Sequence, residues 1–244
     1  MRRLSKRDRI IVALDTTNLN DARAVVEKLQ GSARWFKVGM ELFYSAGWQA
    51  VEMVSGSGAS VFLDLKFNDI PNTVQGAFRS CLRPGVGMIN MHTTAGLEAM
   101  KSAMQQVQQI EVHARPMVIG VTVLTSLDEA ALNEQLGMPG SVMQNVTRLA
   151  GLAKQAGLCG VVASPLETRA IKQACGQDMI VVTPGVRPVW SGTQDQRRFA
   201  SPAQAFADGA DYIVIGRPVT AAVDPLSAYE RIAEEVEAQQ GGRV

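Results

Sequence analysis

Along its 244 residues the sequence alternates between short apolar runs, rich in β-branched residues, and longer segments with the apolar spacing of an amphipathic helix. The apolar runs have the length and composition of buried strands. About eight such strand–helix pairs follow one another, in a chain near the typical length of about 250 residues for a TIM barrel. The alternation therefore predicts an α/β fold, a single-domain TIM (β/α)8 barrel with a parallel sheet covered by helices.

A doubly wound open sheet is the alternative fold for the same alternation. No G-x-G-x-x-G follows the first strand, which disfavours its dinucleotide-binding version. No linker or low-complexity tract divides the chain, so residues 1–244 are expected to form one domain with short loose tails at about 1–8 and 239–244. The longest irregular segment, about 188–200, has the character of a lid at the mouth of a barrel.

The composition narrows the possible partners and compartment. The net charge is +1 with 46% hydrophobic and 19% charged residues, so neither nucleic acid nor a membrane is expected as a partner. Cys81, Cys159 and Cys175 are odd in number and have no metal-like spacing, which favours a reducing, cytoplasmic location. The charged start, with no long apolar run behind it, is not expected to be a signal peptide.

The third strand carries charge into the expected core. Side chains alternate along a strand, so Phe62, Asp64 and Lys66 share the face opposite Val61 and Leu63. Burying a charge costs several kcal/mol per ion unless the ion is paired. A structural Asp–Lys pair is one interpretation, but a further acid follows directly, at position 69, and this density of charge at a strand exit indicates a functional site.

Other polar groups fall at the same point of other strands. They are Asp15, Lys37, His92, Ser164 and the pair Gly216–Arg217. In a TIM barrel the carboxyl ends of the strands form the face where active sites are built. The sequence therefore predicts that these groups converge at one end of the barrel.

The motifs around these positions resemble those of the orotidine 5′-phosphate decarboxylase family over nearly the whole chain. The segment 64–73, D-L-K-F-N-D-I-P-N-T, is similar to the signature of that family, and the other matching segments are 12–15, 36–39, 123–126, 183–188, 195–198 and 214–218. The D-x-K-x-x-D core is shared with related sugar-phosphate lyases, whereas the D-I-P-N-T continuation is more specific. Many members have a glycine directly before Asp195; here Gln194 stands there, which we expect to alter loop flexibility and not chemistry.

The resemblance implies decarboxylation of orotidine 5′-monophosphate to uridine 5′-monophosphate, the last step of de novo pyrimidine nucleotide synthesis, with no cofactor and no metal. Lys66 would protonate C6 of the pyrimidine, and Asp64 would face the scissile carboxylate. Lys37, Asp64, Lys66 and Asp69 would form an alternating charged array. Asp69, together with Thr73, would come from the partner subunit of a homodimer whose active sites are shared.

The resemblance also implies the residues that bind the rest of the substrate. Asp15 and Lys37 would hold the ribose hydroxyls, and Thr125 or Ser126 would read the pyrimidine edge. The phosphate would be held by three residues, with Arg187 framing the pocket; the three are Gln196, Gly216 and Arg217.

Structural roles remain open for several of these residues. Asp15 could cap the next helix, Gly216–Arg217 could be a turn, and Ser126 could cap a helix in a box with Glu129. Arg187 could form a surface ion pair, and Gln196, in a polar loop, would by itself be expected to be a solvated residue. His92 is expected to be a hydrogen-bonded core histidine and His113 a solvated one, which gives a zinc site little support.

Two other functions remain possible. The first is a magnesium-dependent decarboxylase or aldolase of the same barrel type that acts on a keto-sugar phosphate. The second is a catalytically silent phosphate-binding module, since a fold does not fix a function. Sensitivity to a chelator would identify the first, and the intact charged array disfavours the second.

Overall fold

The computed structural model describes residues 5–191 and 200–238, and within these ranges the chain forms a closed barrel of eight parallel strands. Each strand pairs with the next along the chain, and β8 closes the barrel by pairing with β1. The strands are Ile10–Ala13 (β1), Trp35–Gly39 (β2), Ser60–Phe67 (β3), Val86–His92 (β4), Met117–Val121 (β5), Gly160–Val162 (β6), Ile180–Thr183 (β7) and Tyr212–Ile215 (β8). The predicted TIM barrel is confirmed, and the open sheet is excluded.

Helices follow the strands and cover the outside of the barrel. They are Leu19–Lys28 (α1), Met40–Ala46 (α2), Trp48–Gly56 (α3), Pro71–Cys81 (α4), Leu97–Gln108 (α5), Val142–Gln155 (α6), Thr168–Cys175 (α7), Pro202–Ala207 (α8), Arg217–Thr220 (α9) and Pro225–Ala238 (α10). The apolar spacing of residues from about 41 to 55 predicts helix throughout, but the chain forms two helices there, because Gly47 adopts a φ of 58° between α2 and α3. That value lies in the left-handed region, which only glycine enters at little cost.

Two apolar layers hold the barrel together. The inner layer fills the barrel itself and includes Phe62, Met88 and Val214, with Trp35 packed edge-on against Tyr212 near the strand starts. The outer layer lies between the strands and the helices and includes Val61, Leu63 and Leu65. The alternation expected for β3 is therefore confirmed, and the strands are apolar on both faces because both faces are covered.

Residues 5–9 are more ordered than the loose tail that is expected over about 1–8. Residues Arg7–Arg9 form a 3-10 turn. Arg7 is ion-paired with Glu230, and its guanidinium lies over the ring of Tyr229. These contacts attach the segment before β1 to α10. Residues 1–4 and 239–244 lie outside the described residues.

The segment after β5 differs from its expected form. Ser126 lies in a turn and does not form the expected capping box with Glu129. The Asp128 carboxylate instead accepts a hydrogen bond from Ala131 N–H at 2.9 Å, at the start of a π-helical turn over Ala131–Gln135. Among the described helices, capping boxes form at Ser141 with Gln144 and at Ser164 with Glu167. The side-chain cap therefore lies at Asp128, two residues beyond the serine of the S-x-x-E pattern.

Candidate active site

A chain of ion pairs crosses the carboxyl end of the barrel from β1 to β3. The ammonium of Lys37, on β2, lies 2.8 Å from Asp15 Oδ1 and 3.3 Å from Asp64 Oδ2. The other oxygen of Asp64, Oδ1, accepts a hydrogen bond from Lys66 Nζ at 2.7 Å. The order is therefore Asp15, Lys37, Asp64, Lys66, with alternating sign, and the charges sum to zero.

Burial makes this array unusual. The side chains of Asp64 and Lys37 are only 10% and 12% exposed, whereas that of Asp15 is 54% exposed. Desolvation by itself lowers the pKa of Lys37, but the charges of Asp64 and Asp15, and hydrogen bonds to both, outweigh it, so that the pKa is raised above 10.5. Lys37 is therefore a fixed cation over the physiological pH range.

An irregularity in the β3–β4 ladder places Lys66. Leu63 pairs with Ile89 and Phe67 with Met91, so four steps along β3 match two along β4. Lys66 lies within this bulge and has a φ of 52°; among the described residues it is the only non-glycine residue with a positive φ. Bulges redirect side chains and are frequent beside active sites. Here the bulge brings the Lys66 ammonium back onto the carboxylate of its own strand.

Asn90, on β4, is a member of the site that the sequence motifs did not reveal. The residue is 1% exposed, and its side chain donates from Nδ2 to Asp64 Oδ1 at 2.6 Å and accepts at Oδ1 from Lys66 N–H at 2.9 Å. The available signal was an amide inside the apolar run Met88–Met91. Burying an amide costs free energy unless the amide is hydrogen-bonded. An asparagine in a buried strand therefore indicates polar partners close to it.

A cavity of about 200 Å³ opens beside the array. Three of its wall residues are charged: Lys37, Asp64 and Lys66. The other walls come from the strand ends and from the loops after β5, β6 and β7, and are largely apolar; they are Phe62, Val121, Val123, Leu124, Thr125, Val162, Ala163, Pro184 and Val214. An apolar pocket with a few convergent polar groups is typical of a small-molecule site.

Thr125 and Ser126, the two candidates for reading a pyrimidine edge, differ in position. Both are exposed, but Thr125 lines the cavity, whereas Ser126 belongs to the adjoining turn. Their role as pyrimidine contacts stays a prediction.

Asp69 and Thr73 lie beyond β3, and within the part of the chain that the structure describes neither is ion-paired or hydrogen-bonded to the array of its own chain. Both residues are exposed, and the Asp69 carboxylate accepts a hydrogen bond from the neighbouring Ile70 N–H at 2.7 Å. Among the described residues the array thus consists of four members, with Asp15 at the end opposite Lys66. The expectation that Asp69 serves a partner's site stays a prediction.

The expected phosphate residues lie at the ends of β7 and β8. Gly216 follows β8, and a β-carbon on it would lie 3.5 Å from Asp15 Oδ2. Arg217 begins the short helix α9 and is exposed, and Arg187 is half-buried in the loop after β7. A short extra helix after the last strands is a frequent part of phosphate sites in TIM barrels. Gln196 and the segment 195–198 lie outside the described residues.

The two histidines differ in environment. His92 ends β4 half-buried, at a smaller cavity of about 140 Å³ that it lines with Asn68 and Thr122. Burial, and then the charge of Lys66, lower the pKa of His92, against a smaller opposing effect of Asp64. His113 is exposed on the surface. Within residues 5–191 and 200–238, no three His, Cys, Asp or Glu side chains form a group that could hold a metal ion.

No helix in the described part of the chain is both long and apolar enough to cross a bilayer. The fold and the site together define a TIM-barrel protein of the enzyme type, with its polar groups gathered at the carboxyl ends of the strands.

Comparison with known proteins assigns the family. The model of the orotidine 5′-phosphate decarboxylase / HUMPS family matches residues 8–232, and the chain belongs to this family. The orotidine 5′-phosphate decarboxylase of Moorella thermoacetica is 50% identical over 240 residues, which are 97% of this chain and 95% of that protein. The protein of the same name from Heliobacterium modesticaldum is 46% identical, over 96% of this chain and 97% of its own.

A solved structure gives the same relationship in three dimensions. The crystal structure of orotidine 5′-phosphate decarboxylase from Lactobacillus acidophilus matches with a TM-score of 0.83 and 35% identity, covering 93% of this chain and 98% of that chain. The family resemblance stated from the motifs is therefore confirmed.

Proposed function

We propose that this chain is a carboxy-lyase that converts orotidine 5′-monophosphate to uridine 5′-monophosphate, as the final step of de novo pyrimidine nucleotide synthesis, without a cofactor or a metal. The observation that carries the proposal is the Asp15–Lys37–Asp64–Lys66 array on the wall of the cavity. Its residues match the family motifs, and relatives named for this activity align over nearly their whole length.

The reaction needs electrostatic stabilisation more than covalent chemistry. When the C6–carboxylate bond of the pyrimidine breaks, CO₂ leaves and the electron pair stays on C6, where the ring π-system cannot delocalise it. Fixed charges that face the developing charge stabilise such a transition state. An ammonium about 4 Å from a carbanion contributes on the order of 4 kcal/mol at an effective dielectric of about 20.

Lys66 is suited to this role and to the step that follows it. Its side chain is 25% exposed, so the ammonium reaches the cavity while Asp64 holds it from one side. A proton moves from Lys66 Nζ to C6, which completes the product, and solvent then reprotonates the amine. A positioned acid of this kind contributes about a hundredfold to ten-thousandfold in rate.

Asp64 would lie next to the carboxylate that leaves. Two adjacent carboxylates repel each other, and the loss of CO₂ relieves that repulsion. The ammonium groups of Lys37 and Lys66, however, already neutralise much of the negative charge of Asp64. Ground-state destabilisation of this type is contested as a general source of rate. We therefore assign the larger share of the rate enhancement to Lys66. Asp64 is the group that holds both lysine side chains in place.

The remaining roles follow the order of the strands around the mouth. Asp15 and Lys37 bind the ribose hydroxyls, Thr125 or Ser126 contacts the pyrimidine edge, and Arg187 frames the pocket. The phosphate is bound by Gln196, Gly216 and Arg217. The closeness of Gly216 to Asp15 supports this arrangement, because ribose and phosphate are adjacent in the substrate.

A homodimer with shared sites completes the proposal. Asp69 and Thr73 are exposed beyond β3. Several large apolar side chains are also exposed in the segments that follow β2, β3 and β5: Met40 at 42%, Tyr44 at 74%, Ile70 at 66% and Leu136 at 54%. Large apolar side chains that are exposed in this way are available to an interaction surface. A second copy would cover it and bring its own Asp69 to the site. We place this dimer in the cytoplasm, in line with the three free cysteines.

Loss of orotidine 5′-monophosphate absorbance on addition of purified protein tests the function directly. We expect turnover of this nucleotide, none of a keto-sugar phosphate, and full activity after exhaustive dialysis against a chelator. Activity that is lost on dialysis and restored by Mg²⁺ would favour the sugar-phosphate lyase. A protein that binds the nucleotide but leaves it unchanged would be the silent binding module.

A further inference from the structure

A single polar side chain of β4 lies opposite the β3 bulge. Asn90 falls between Ile89 and Met91, the two β4 residues whose partners, Leu63 and Phe67, bracket the bulge. It points into the barrel with 1% of its surface exposed. A regular ladder would leave no need for a side chain at this point; the bulge leaves a backbone N–H that requires an acceptor.

The Asn90 amide is fixed in orientation by its two partners. Lys66 N–H can only donate, so it faces Asn90 Oδ1, at 2.9 Å. The Asp64 carboxylate only accepts, so it faces Asn90 Nδ2, at 2.6 Å. One amide therefore connects the backbone of the lysine to the carboxylate that holds the same lysine's ammonium.

Both ends of Lys66 depend on this connection. The backbone is held at a φ of 52°, a conformation that a lysine rarely adopts, and its N–H bonds to Asn90. The ammonium bonds to Asp64 Oδ1, the same oxygen that accepts from Asn90. Without the amide, the backbone N–H of Lys66 loses its acceptor, and among the described residues the Asp64 carboxylate is held only by the two flexible lysine side chains.

We propose that Asn90 is a positioning residue for the decarboxylation, which acts by holding Lys66 at its backbone and, through Asp64, at its ammonium. The proposal rests on the proposed function, since it assumes that Lys66 is the proton donor. Asn90 does not line the cavity and does not need to touch the substrate. Its effect is on the direction in which Lys66 Nζ points.

Asn90→Leu removes both hydrogen bonds while keeping the approximate volume. We expect kcat to fall by about a hundredfold, the scale that a displacement of about 1 Å causes at a reacting centre. The KM for orotidine 5′-monophosphate should change far less, because the ribose and phosphate contacts lie elsewhere. Asn145→Leu is the matched control: Asn145 is 2% exposed on α6 and donates to the carbonyls of Pro139 and Ser141, away from the site. It should lower thermal stability and leave kcat unchanged.

Asn90→Asp separates a positioning role from a structural one. An Asp at 90 keeps the acceptor for Lys66 N–H but faces Asp64 at hydrogen-bond distance, and two carboxylates so close share a proton. The protonated pair restores the donor that Asn90 supplied, and the ionised pair does not. The ratio of kcat for N90D to wild-type kcat should therefore fall as pH rises, whereas the ratio for N90L should be low at every pH.

The outcomes distinguish this inference from the proposed function. Wild-type protein that leaves orotidine 5′-monophosphate unchanged would remove the function and the inference together. Active wild type with inactive Lys66→Ala, but with Asn90 variants that behave like Asn145→Leu, would overturn the inference alone. A pH-independent N90D ratio would also overturn it, and this result can be obtained even if N90L does not fold.

Discussion

Gly39 leaves the space that the ammonium of Lys37 occupies: a β-carbon on Gly39 would lie 2.8 Å from Lys37 Nζ. Gly39 follows Lys37 by two residues on β2, so both face the barrel interior. Its φ of −89° is open to any residue. The glycine is thus required by the ion pairs of Lys37 and not by the backbone.

Gly39→Ala is therefore expected to fold and to lose activity. The added methyl group displaces Lys37 Nζ from Asp15 and Asp64, and a displacement of about 1 Å in a site group can cost about a hundredfold in rate. Steady-state kcat/KM measures this loss. Gly151→Ala, on α6 with no atom within 4 Å of the added carbon, is the control and should retain full activity. Equal activities of the two variants would contradict the requirement for this space.

Lys66→Ala should abolish decarboxylation while the fold is retained. In the proposed mechanism the substitution removes both the cation that faces C6 and the proton donor, so we expect activity to fall by about a hundredfold to ten-thousandfold or more. The measurement is the absorbance of orotidine 5′-monophosphate, with circular dichroism to establish folding. Lys101→Ala is the charge-matched control, because Lys101 pairs with Glu98 on the surface of α5. Near-normal turnover by folded Lys66→Ala would end the proposed mechanism.

Arg217→Ala should weaken binding of the nucleotide far more than binding of the corresponding nucleoside. A hydrogen bond to a charged group contributes about 1.5–3 kcal/mol, roughly tenfold to a hundredfold in affinity. Product and nucleoside dissociation constants, measured by calorimetry, give the comparison. Arg169→Ala is the control. It removes an arginine of α7 that is ion-paired with Asp208, and it should change neither dissociation constant. Equal losses for both ligands would mean that Arg217 does not contact the phosphate.

His92 should make the protein less stable at acid pH. Its folded pKa lies below the ordinary 6.5, so the unfolded chain takes up a proton before the folded chain does. The contribution of neutral His92 is fully present above pH 6.5 and is lost as the pH falls from there through the lowered pKa. Urea unfolding of His92→Gln should show a weaker fall over this range than wild type. His113→Gln, at an exposed position, is the control, and parallel curves for wild type and His92→Gln would refute the assignment.

The fold was predictable from the sequence because its evidence is local. Each apolar run and each amphipathic segment is a short stretch of consecutive residues. The two faces of β3 follow from the alternation of its side chains alone. The break at Gly47 was missed because helical spacing continues through it, and only the φ of that residue separates α2 from α3. Ser126 does not form a capping box, because it lies in a turn and the carboxylate of Asp128 caps the following segment at Ala131 N–H.

The site was predictable only in part. Asp15, Lys37, Asp64 and Lys66 stand out as charges at strand ends, and the structure brings them into contact. Asn90 did not stand out, because its importance depends on a bulge in the neighbouring strand, and the register of two strands is a property of the folded barrel. A neutral amide also carries none of the charge that made its partners visible in the sequence.

Asp69 and the dimer provide the last prediction. Asp69 is exposed beyond β3 and lies outside the array of its own chain, whereas Lys66 belongs to it. In an isologous dimer each site would combine Lys66 of one chain with Asp69 of the other. Asp69→Ala and Lys66→Ala homodimers should each be nearly inactive. A mixed dimer has one site with both lesions and one site with neither.

Activity should therefore return when the two inactive variants are mixed and allowed to exchange. With free pairing about half of the dimers are mixed and about half of their sites are intact, so activity approaches about a quarter of wild type per total site. Native mass spectrometry of a mass-labelled variant measures the exchange, and a mixture of Lys66→Ala with a labelled copy of itself is the control that must stay inactive. If mixed dimers form and activity does not return, Asp69 acts in the site of its own chain and the shared-site arrangement is wrong.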